Sequence, residues 1–119
     1  MPNVTGKIYR REVMNSEKLL KNTVSYHDEL IHSLRNRTQA FAYLQVALEE
    51  YQEDGDTKAF LTALRNIAEA QGGITKLAEE THLNRQSLYK TLSNKGNPRL
   101  NTLGSILKVL GFQLTVQPL

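Results

Sequence analysis

The chain has 119 residues, of which 39% are apolar, and a formal net charge of +3, values that suit one domain around a single core. It contains no cysteine, which excludes disulfides, thiolate catalysis and thiolate metal sites. No apolar run approaches the roughly 20 residues of a membrane span and the N-terminus does not have the composition of a secretory signal, so we expect a cytoplasmic protein with no membrane partner.

The first 24 residues show no sustained helical or strand period. We expect a flexible N-terminal arm over residues 1–24, followed by one helical domain over residues 25–119. Lys7, Arg10 and Arg11 would allow the arm to touch phosphate, although a solubilising tail is the simpler interpretation.

Three helices are predicted before the first glycine pair. The first spans Ser25 to about Arg35, the second follows a Thr38 cap and ends before Gly55, and the third follows an Asp56 cap. Apolar residues at helical spacing predict their buried faces: Tyr26, Leu30, Ile31 and Leu34 in the first helix, Phe41, Leu44, Leu48 and Tyr51 in the second, and Phe60, Leu61, Leu64, Ile67 and Ala68 in the third.

Four acidic residues crowd the last turn of the second helix: Glu49, Glu50, Glu53 and Asp54. This placement opposes the helix dipole, which favours cations at a helix C-terminus. A solvated turn is the simpler interpretation, and a surface that faces a basic partner is the alternative.

The stretch from Gly73 to Leu92 predicts two short helices joined by a tight turn, a helix-turn-helix over about residues 74–93. Ile74, Leu77 and Ala78 form the apolar stripe of its first helix. Asn84 is a suitable N-cap for the second helix, whose buried side would carry Leu88 and Leu92. Two ordinary amphipathic helices would show the same pattern, so the outward side chains decide between a packing role and a binding role.

The outward residues of the second helix are polar: Arg85, Gln86, Tyr89 and Lys90. Arg can bind guanine O6 and N7 with two hydrogen bonds, Gln can do the same to adenine N6 and N7, and Lys can reach a phosphate or a guanine edge. This set favours binding in a DNA major groove.

A turn-rich segment, residues 93–98, leads from this motif to a last helix with an Asn101 cap and a Gly111 stop. Its predicted stripe is Leu103, Ile106, Leu107 and Leu110. Residues 112–116 then alternate apolar and polar, which predicts a short strand with Phe112, Leu114 and Val116 on one face. Because a strand needs a partner, we expect antiparallel pairing with a second copy, or addition to the sheet edge of another protein. The predicted fold is therefore all-α, with five to six short helices and one terminal strand.

Charge is distributed unevenly along the chain. Residues 49–80 carry eight acidic residues against three basic ones, whereas residues 81–119 contain no Asp or Glu. The basic residues of this acid-free segment are Arg85, Lys90, Lys95, Arg99 and Lys108. Such a segment is typical of a surface that binds a polyanion, although a solvated basic face is the alternative.

From about Thr38 to Val116 the sequence resembles the addiction-module antidote proteins, antitoxins with a phage-repressor or Cro-like helix-turn-helix that pair with toxins of the RelE/ParE type. The resemblance is carried by residues 42–44, 47–51, 54–56, 60–61, 71–73, 76–81, 83–89 and 95–100. It implies a protein that represses its own operon and neutralises a toxin. With the pairing expected for residues 112–116, we expect a homodimer that binds an inverted repeat. A DNA-binding regulator without a toxin partner, or a module that mainly binds protein, remains the alternative.

The resemblance also implies roles for individual residues. Asn84 would cap the recognition helix and touch phosphate, and the side chains facing bases would be Arg85, Gln86 and Lys90. The DNA backbone would be contacted by Tyr89, Asn97 and Arg99. The sequence departs from the family pattern at His82, which occupies a turn position commonly held by glycine and would need a left-handed backbone.

Other chemistries find little support. His27 and His32 lie five residues apart, off a common helix face, so no zinc site is predicted. No P-loop or dinucleotide fingerprint occurs, and no set of side chains suggests an enzyme, a cofactor or a small-molecule substrate.

Overall fold

The computed structural model describes the backbone of residues 16–119 and the side chains of residues 25–119. Lys7, Arg10 and Arg11, together with the rest of the predicted arm up to residue 15, lie outside the described residues. The chain divides into two units, residues 1–30 and 31–119, and the second unit contains all the predicted site residues.

The described part of the chain is all-helical, as predicted, with six helices and no strand. The helices are α1 Ser16–Ser33, α2 Arg37–Asp54, α3 Lys58–Ala70, α4 Gly73–Thr81, α5 Arg85–Thr91 and α6 Leu100–Val109. Within the second unit, α3 packs against α2 and α4, and α4 packs against α5 and α6.

Helix α1 begins at Ser16 rather than at the expected Ser25. Residues 17–21, Glu-Lys-Leu-Leu-Lys, are good helix formers, and this propensity outweighs the irregular apolar spacing used to place them in the arm. Tyr26 was predicted to face the core, but its side chain is 67% exposed. Leu34, just after the helix, is fully buried.

Helix α2 differs from the prediction in its cap and in its buried face. The cap is Asn36 and not Thr38, because the Asn36 side-chain oxygen accepts a hydrogen bond from the Gln39 N–H at 3.0 Å. The buried residues are Ala40, Leu44 and Ala47, whereas the predicted core residues Phe41, Leu48 and Tyr51 are partly exposed. Leu44 is thus the one residue of the predicted stripe that is buried, and alanines occupy the other two buried positions.

Helix α3 supplies much of the core. All five residues of its predicted stripe are buried, and Ala63 and Asn66 are buried with them. The Asn66 side-chain amide donates a hydrogen bond to the Tyr43 hydroxyl at 2.9 Å, which gives this buried polar group a partner. Full burial of Leu61, Leu64 or Ile67 stabilises the fold by about 1.5–3 kcal/mol each.

Helix α6 begins at Leu100, with Arg99 at the cap position. The predicted cap residue, Asn101, lies inside the helix, and its side-chain oxygen accepts from the Thr102 N–H. Ile106, Leu107 and Leu110 are buried as predicted, and Leu103 is half-buried.

The helix ends at the expected glycine. Gly111 has φ 93°, the Gly111 N–H donates to the Lys108 carbonyl at 3.0 Å, and the Phe112 N–H donates to the Leu107 carbonyl at 2.8 Å. This pair of hydrogen bonds is a Schellman motif, which satisfies the last carbonyls of α6 and turns the chain away from the helix axis.

Residues 112–119 have no regular secondary structure in the single chain. Phe112 stacks on Phe41 of α2 with ring centroids 6.3 Å apart, and the Arg37 guanidinium donates to the Gly111 carbonyl at 2.9 Å. The start of this tail is therefore held against α2 of the same chain. A strand over residues 112–116 needs a partner strand, which the isolated chain does not supply.

Candidate nucleic-acid interface

Helix α5 is fixed from its buried side. Leu88 and Leu92 are almost completely buried, as their spacing predicts. The half-buried Arg65 of α3 donates to the Leu92 carbonyl at 3.4 Å, where a positive charge complements the helix dipole. Arg65 was not predicted to have any role, because only the fold brings it to the end of a helix 27 residues further along the chain.

The turn between α4 and α5 consists of His82, Leu83 and Asn84. His82 has φ 60° and ψ 28°, the left-handed conformation expected at this position. The Ala78 carbonyl accepts hydrogen bonds from both the His82 and the Leu83 N–H groups, and the Thr81 hydroxyl donates to the Leu77 carbonyl at 2.7 Å. These bonds close the end of α4 and set the direction in which α5 begins.

Asn84 is the N-cap of α5, as predicted. Its backbone is extended, with φ −68° and ψ 132°, and its side-chain oxygen accepts from the Ser87 N–H at 3.0 Å. The cap uses the side-chain oxygen, so the amide NH₂ remains available to donate to another acceptor.

The outer face of α5 is solvent-exposed. Asn84, Arg85, Gln86 and Tyr89 line a shallow depression, and Lys90 is exposed beside it. The Arg85 guanidinium carbon lies 5.7 Å from the centre of the Tyr89 ring, a cation–π arrangement that limits the freedom of the long arginine side chain. Five side chains that could donate to DNA thus lie along one short helix and its cap.

The remaining predicted DNA contacts lie in the segment between α5 and α6, where Lys95, Asn97 and Arg99 are exposed. Ser93 shapes this segment: its hydroxyl donates to the Lys90 carbonyl at 2.7 Å and accepts from the Lys95 N–H at 3.3 Å. Gly96 lies directly against the backbone of α5, where a Cβ atom would overlap the Thr91 carbonyl. Neither Ser93 nor Gly96 was predicted to have a role of its own, although both belong to a segment predicted to be rich in turns.

The three residues predicted to mediate dimerisation have different environments. Phe112 is half-buried against Phe41, Leu114 lies 4.0 Å from the position of a Cβ on Gly104, and Val116 is almost fully exposed. Phe41 was assigned to the core from its spacing in α2, and its contact with the tail was not anticipated.

Among residues 25–119 no group of three or more His, Asp or Glu side chains is arranged to hold a metal ion. None of the described helices combines the length and the apolar character needed to cross a bilayer.

Comparison with known proteins gives two matches. Residues 25–118 match the family described as "probable addiction module antidote protein". An uncharacterized protein of Haemophilus influenzae is 34% identical over 74 residues, which cover 62% of this chain and 75% of the relative. No solved structure gives a significant match. This family match covers most of the chain, from α1 into the C-terminal tail. The chain therefore belongs to the addiction module antidote protein family.

Proposed function

We propose that this chain is a non-enzymatic, sequence-specific DNA-binding antitoxin. It acts as a homodimer that represses its own operon through a helix-turn-helix formed by α4 and α5, and it neutralises a toxin of the RelE/ParE type. The toxin part of the proposal is supported by the antidote family, and the DNA part by the residues of α5 and the segment that follows it.

The outer face of α5 is the observation that carries DNA binding. Leu88 and Leu92 bury one side of the helix, which leaves Arg85, Gln86 and Lys90 exposed on the other side. No carboxylate occurs anywhere in residues 81–119 to compete with phosphate for these cations. In our proposal these three side chains contact bases in the major groove.

The surrounding residues would position the helix on the DNA backbone. Asn84 offers its amide NH₂ at the first turn of α5, Tyr89 offers its hydroxyl, and Asn97 and Arg99 follow in the adjacent segment. Lys95 would neutralise phosphate without reading sequence.

A homodimer would bind an inverted repeat whose half-sites are about 34 Å apart. We propose that residues 112–116 of two copies pair as antiparallel strands across the two-fold axis, with Phe112, Leu114 and Val116 on the face that packs against the domains. The exposed Leu114 and Val116 would then become buried.

Fluorescence anisotropy with the DNA upstream of this reading frame, against scrambled DNA of equal length, tests the proposal. Arg85→Ala should weaken operator binding by about 1–3 kcal/mol, which is roughly 5- to 150-fold, and relax selectivity at one base pair. Lys95→Ala should weaken binding to both DNAs to a similar extent. Lys58→Ala, which removes an exposed cation at the start of α3, is the matched control and should leave the affinity unchanged. Equal wild-type affinity for the two DNAs at moderate salt would contradict sequence-specific repression.

A regulator without a toxin partner, or a module that mainly binds protein, is the second candidate. Co-production with the protein encoded by the adjacent reading frame separates these functions. An antitoxin should form a complex and restore growth, whereas a regulator should bind operator DNA and do neither.

A further inference from the structure

We infer that the toxin docks in a groove between the second half of α2 and the start of α3, and that the docking segment is basic with an apolar side chain at its centre. This inference rests on the proposed antitoxin function, because the antidote family supplies the expectation of a protein partner. We call this surface the α2–α3 groove.

The surface of the α2–α3 groove is mainly apolar, and two alanines lie among its larger side chains. It is lined by Tyr43, Val46, Ala47 and Glu50 from α2 and by Lys58, Ala59 and Thr62 from α3. Val46 is 54% exposed although its neighbour Ala47 is buried, so a branched apolar side chain faces solvent at the centre of a concave surface. The alanines leave space in which the side chain of a partner can fit.

The far end of the groove is acidic. Val46, Glu50 and Glu53 follow one another at i, i+4 and i+7, the spacing of a single helix face, and Glu49 and Asp54 flank this row. Glu49, Glu50, Glu53 and Asp54 are all exposed. Lys58 is the one basic residue between Arg37 and Arg65, so the local charge is strongly negative.

This acidic end lowers the stability of α2. The last turn of α2 contains no basic residue, and each carboxylate placed there opposes the helix dipole. A surface that binds a cationic partner explains why unfavourable charges are concentrated there. The predicted DNA contacts lie on α5 and in the acid-free segment after it, so the two binding surfaces use different helices and opposite charges.

Binding of the purified product of the adjacent reading frame tests the inference. The double variant Glu50→Lys/Glu53→Lys should weaken the complex at least tenfold, mainly through slower association, because it replaces attraction with repulsion along the groove. The matched control is Glu79→Lys/Glu80→Lys, which reverses two exposed acidic residues on α4 and changes the net charge equally. The control should bind the toxin with wild-type affinity.

The variant Val46→Asp separates the contribution of the apolar contact at Val46 from that of the negative charge of the groove. This substitution adds an acidic residue but removes the apolar centre, so we expect weaker binding despite the stronger negative field. Tighter binding by this variant would mean that charge alone attracts the partner. This result would overturn the inference that the toxin docks in the α2–α3 groove.

The outcomes distinguish the inference from the function on which it rests. If the wild-type protein forms no complex, the antitoxin function itself fails. If the wild type binds and the groove variants bind equally well, the antitoxin function stands and the docking surface is wrong. An equal loss of toxin affinity in the Glu79→Lys/Glu80→Lys control would show that total charge causes the effect. This result would also overturn docking in the α2–α3 groove. Thermal unfolding of each variant verifies that the fold is retained.

Discussion

His82 is the residue on which the geometry of the central turn depends. Among the described residues it is the only one other than glycine with a positive φ. The left-handed region costs an ordinary residue roughly 1–2 kcal/mol, and histidine is found there more often than most residues. The turn therefore keeps its shape at some cost in stability.

His82→Gly should stabilise the protein by about 0.5–1 kcal/mol, because the strain that is removed exceeds the additional chain entropy that glycine brings to the unfolded state. His82→Val should destabilise it, since a β-branched residue fits this conformation poorly. Thermal denaturation of the two variants measures both effects. A lower melting temperature for His82→Gly would show that the imidazole makes a stabilising contact.

Asn84 allows stability and DNA affinity to be measured separately. Asn84→Ala removes the cap of α5 and should cost about 1 kcal/mol of unfolding free energy. Asn84→Asp keeps an oxygen for the Ser87 N–H and should preserve stability. However, it places a negative charge near phosphate and should weaken DNA binding roughly tenfold. Unchanged DNA affinity for Asn84→Asp would argue against a phosphate contact at this position.

At the scale of elements, the segment between α5 and α6 is held by close backbone packing. A Cβ atom on Gly96 would overlap the Thr91 carbonyl, and a helix backbone cannot yield as a flexible side chain can. Gly96→Ala should therefore destabilise the protein by about 1–3 kcal/mol and reduce DNA affinity by moving Asn97 and Arg99. Chemical denaturation and DNA titration measure the two effects.

Gly104→Ala is the matched control for this prediction. Gly104 lies inside α6, and the nearest atom to an added Cβ is Leu114 Cδ1 at 4.0 Å. This variant should gain about 0.5–1 kcal/mol from the higher helix propensity of alanine. Equal effects of the two substitutions would show that the packing of Gly96 has no special importance.

The helices were predictable where large apolar residues recur regularly. The buried faces of α3 and α4 were correct in every predicted residue, and the α5 stripe of Leu88 and Leu92 was also correct. In α2 only Leu44 of the predicted stripe is buried, because Ala40 and Ala47 occupy the other buried positions and periodicity gives small residues little weight. The Asn36 cap was missed because Thr38 lies in the same short polar stretch and is also a suitable cap residue.

The exposed face of α5 was predictable because it is local in sequence. Arg85 through Lys90 lie on one helix capped by Asn84, so knowledge of its buried side determines its exposed side. Whether this face binds DNA stays a prediction. The α2–α3 groove was not predictable, because its floor forms only when two helices pack and its central residue, Val46, lies outside the predicted apolar stripe. Only the acidic cluster at the end of α2 gave a signal in the sequence.

At the scale of the whole molecule, the proposed dimer makes opposite predictions for the two faces of residues 112–116. Leu114→Glu/Val116→Glu should convert a dimer into a monomer in sedimentation velocity experiments, because it places charges on the face proposed to become buried. Gln113→Glu/Thr115→Glu changes the opposite face of the same proposed strand and should leave the dimer intact. Identical sedimentation of both variants would contradict pairing through residues 112–116.

The position of α3 between α2 and α4 has a consequence for how the molecule opens. Seven of its thirteen residues are buried, so the amides of α3 become accessible to solvent only when packing on both sides is lost. Native-state hydrogen exchange should therefore be slowest at Leu64 and Ile67, with protection close to the global unfolding free energy, and faster in the short helix α5. The two proposed binding surfaces would then share α3 as a rigid support, while α5 adjusts by local opening.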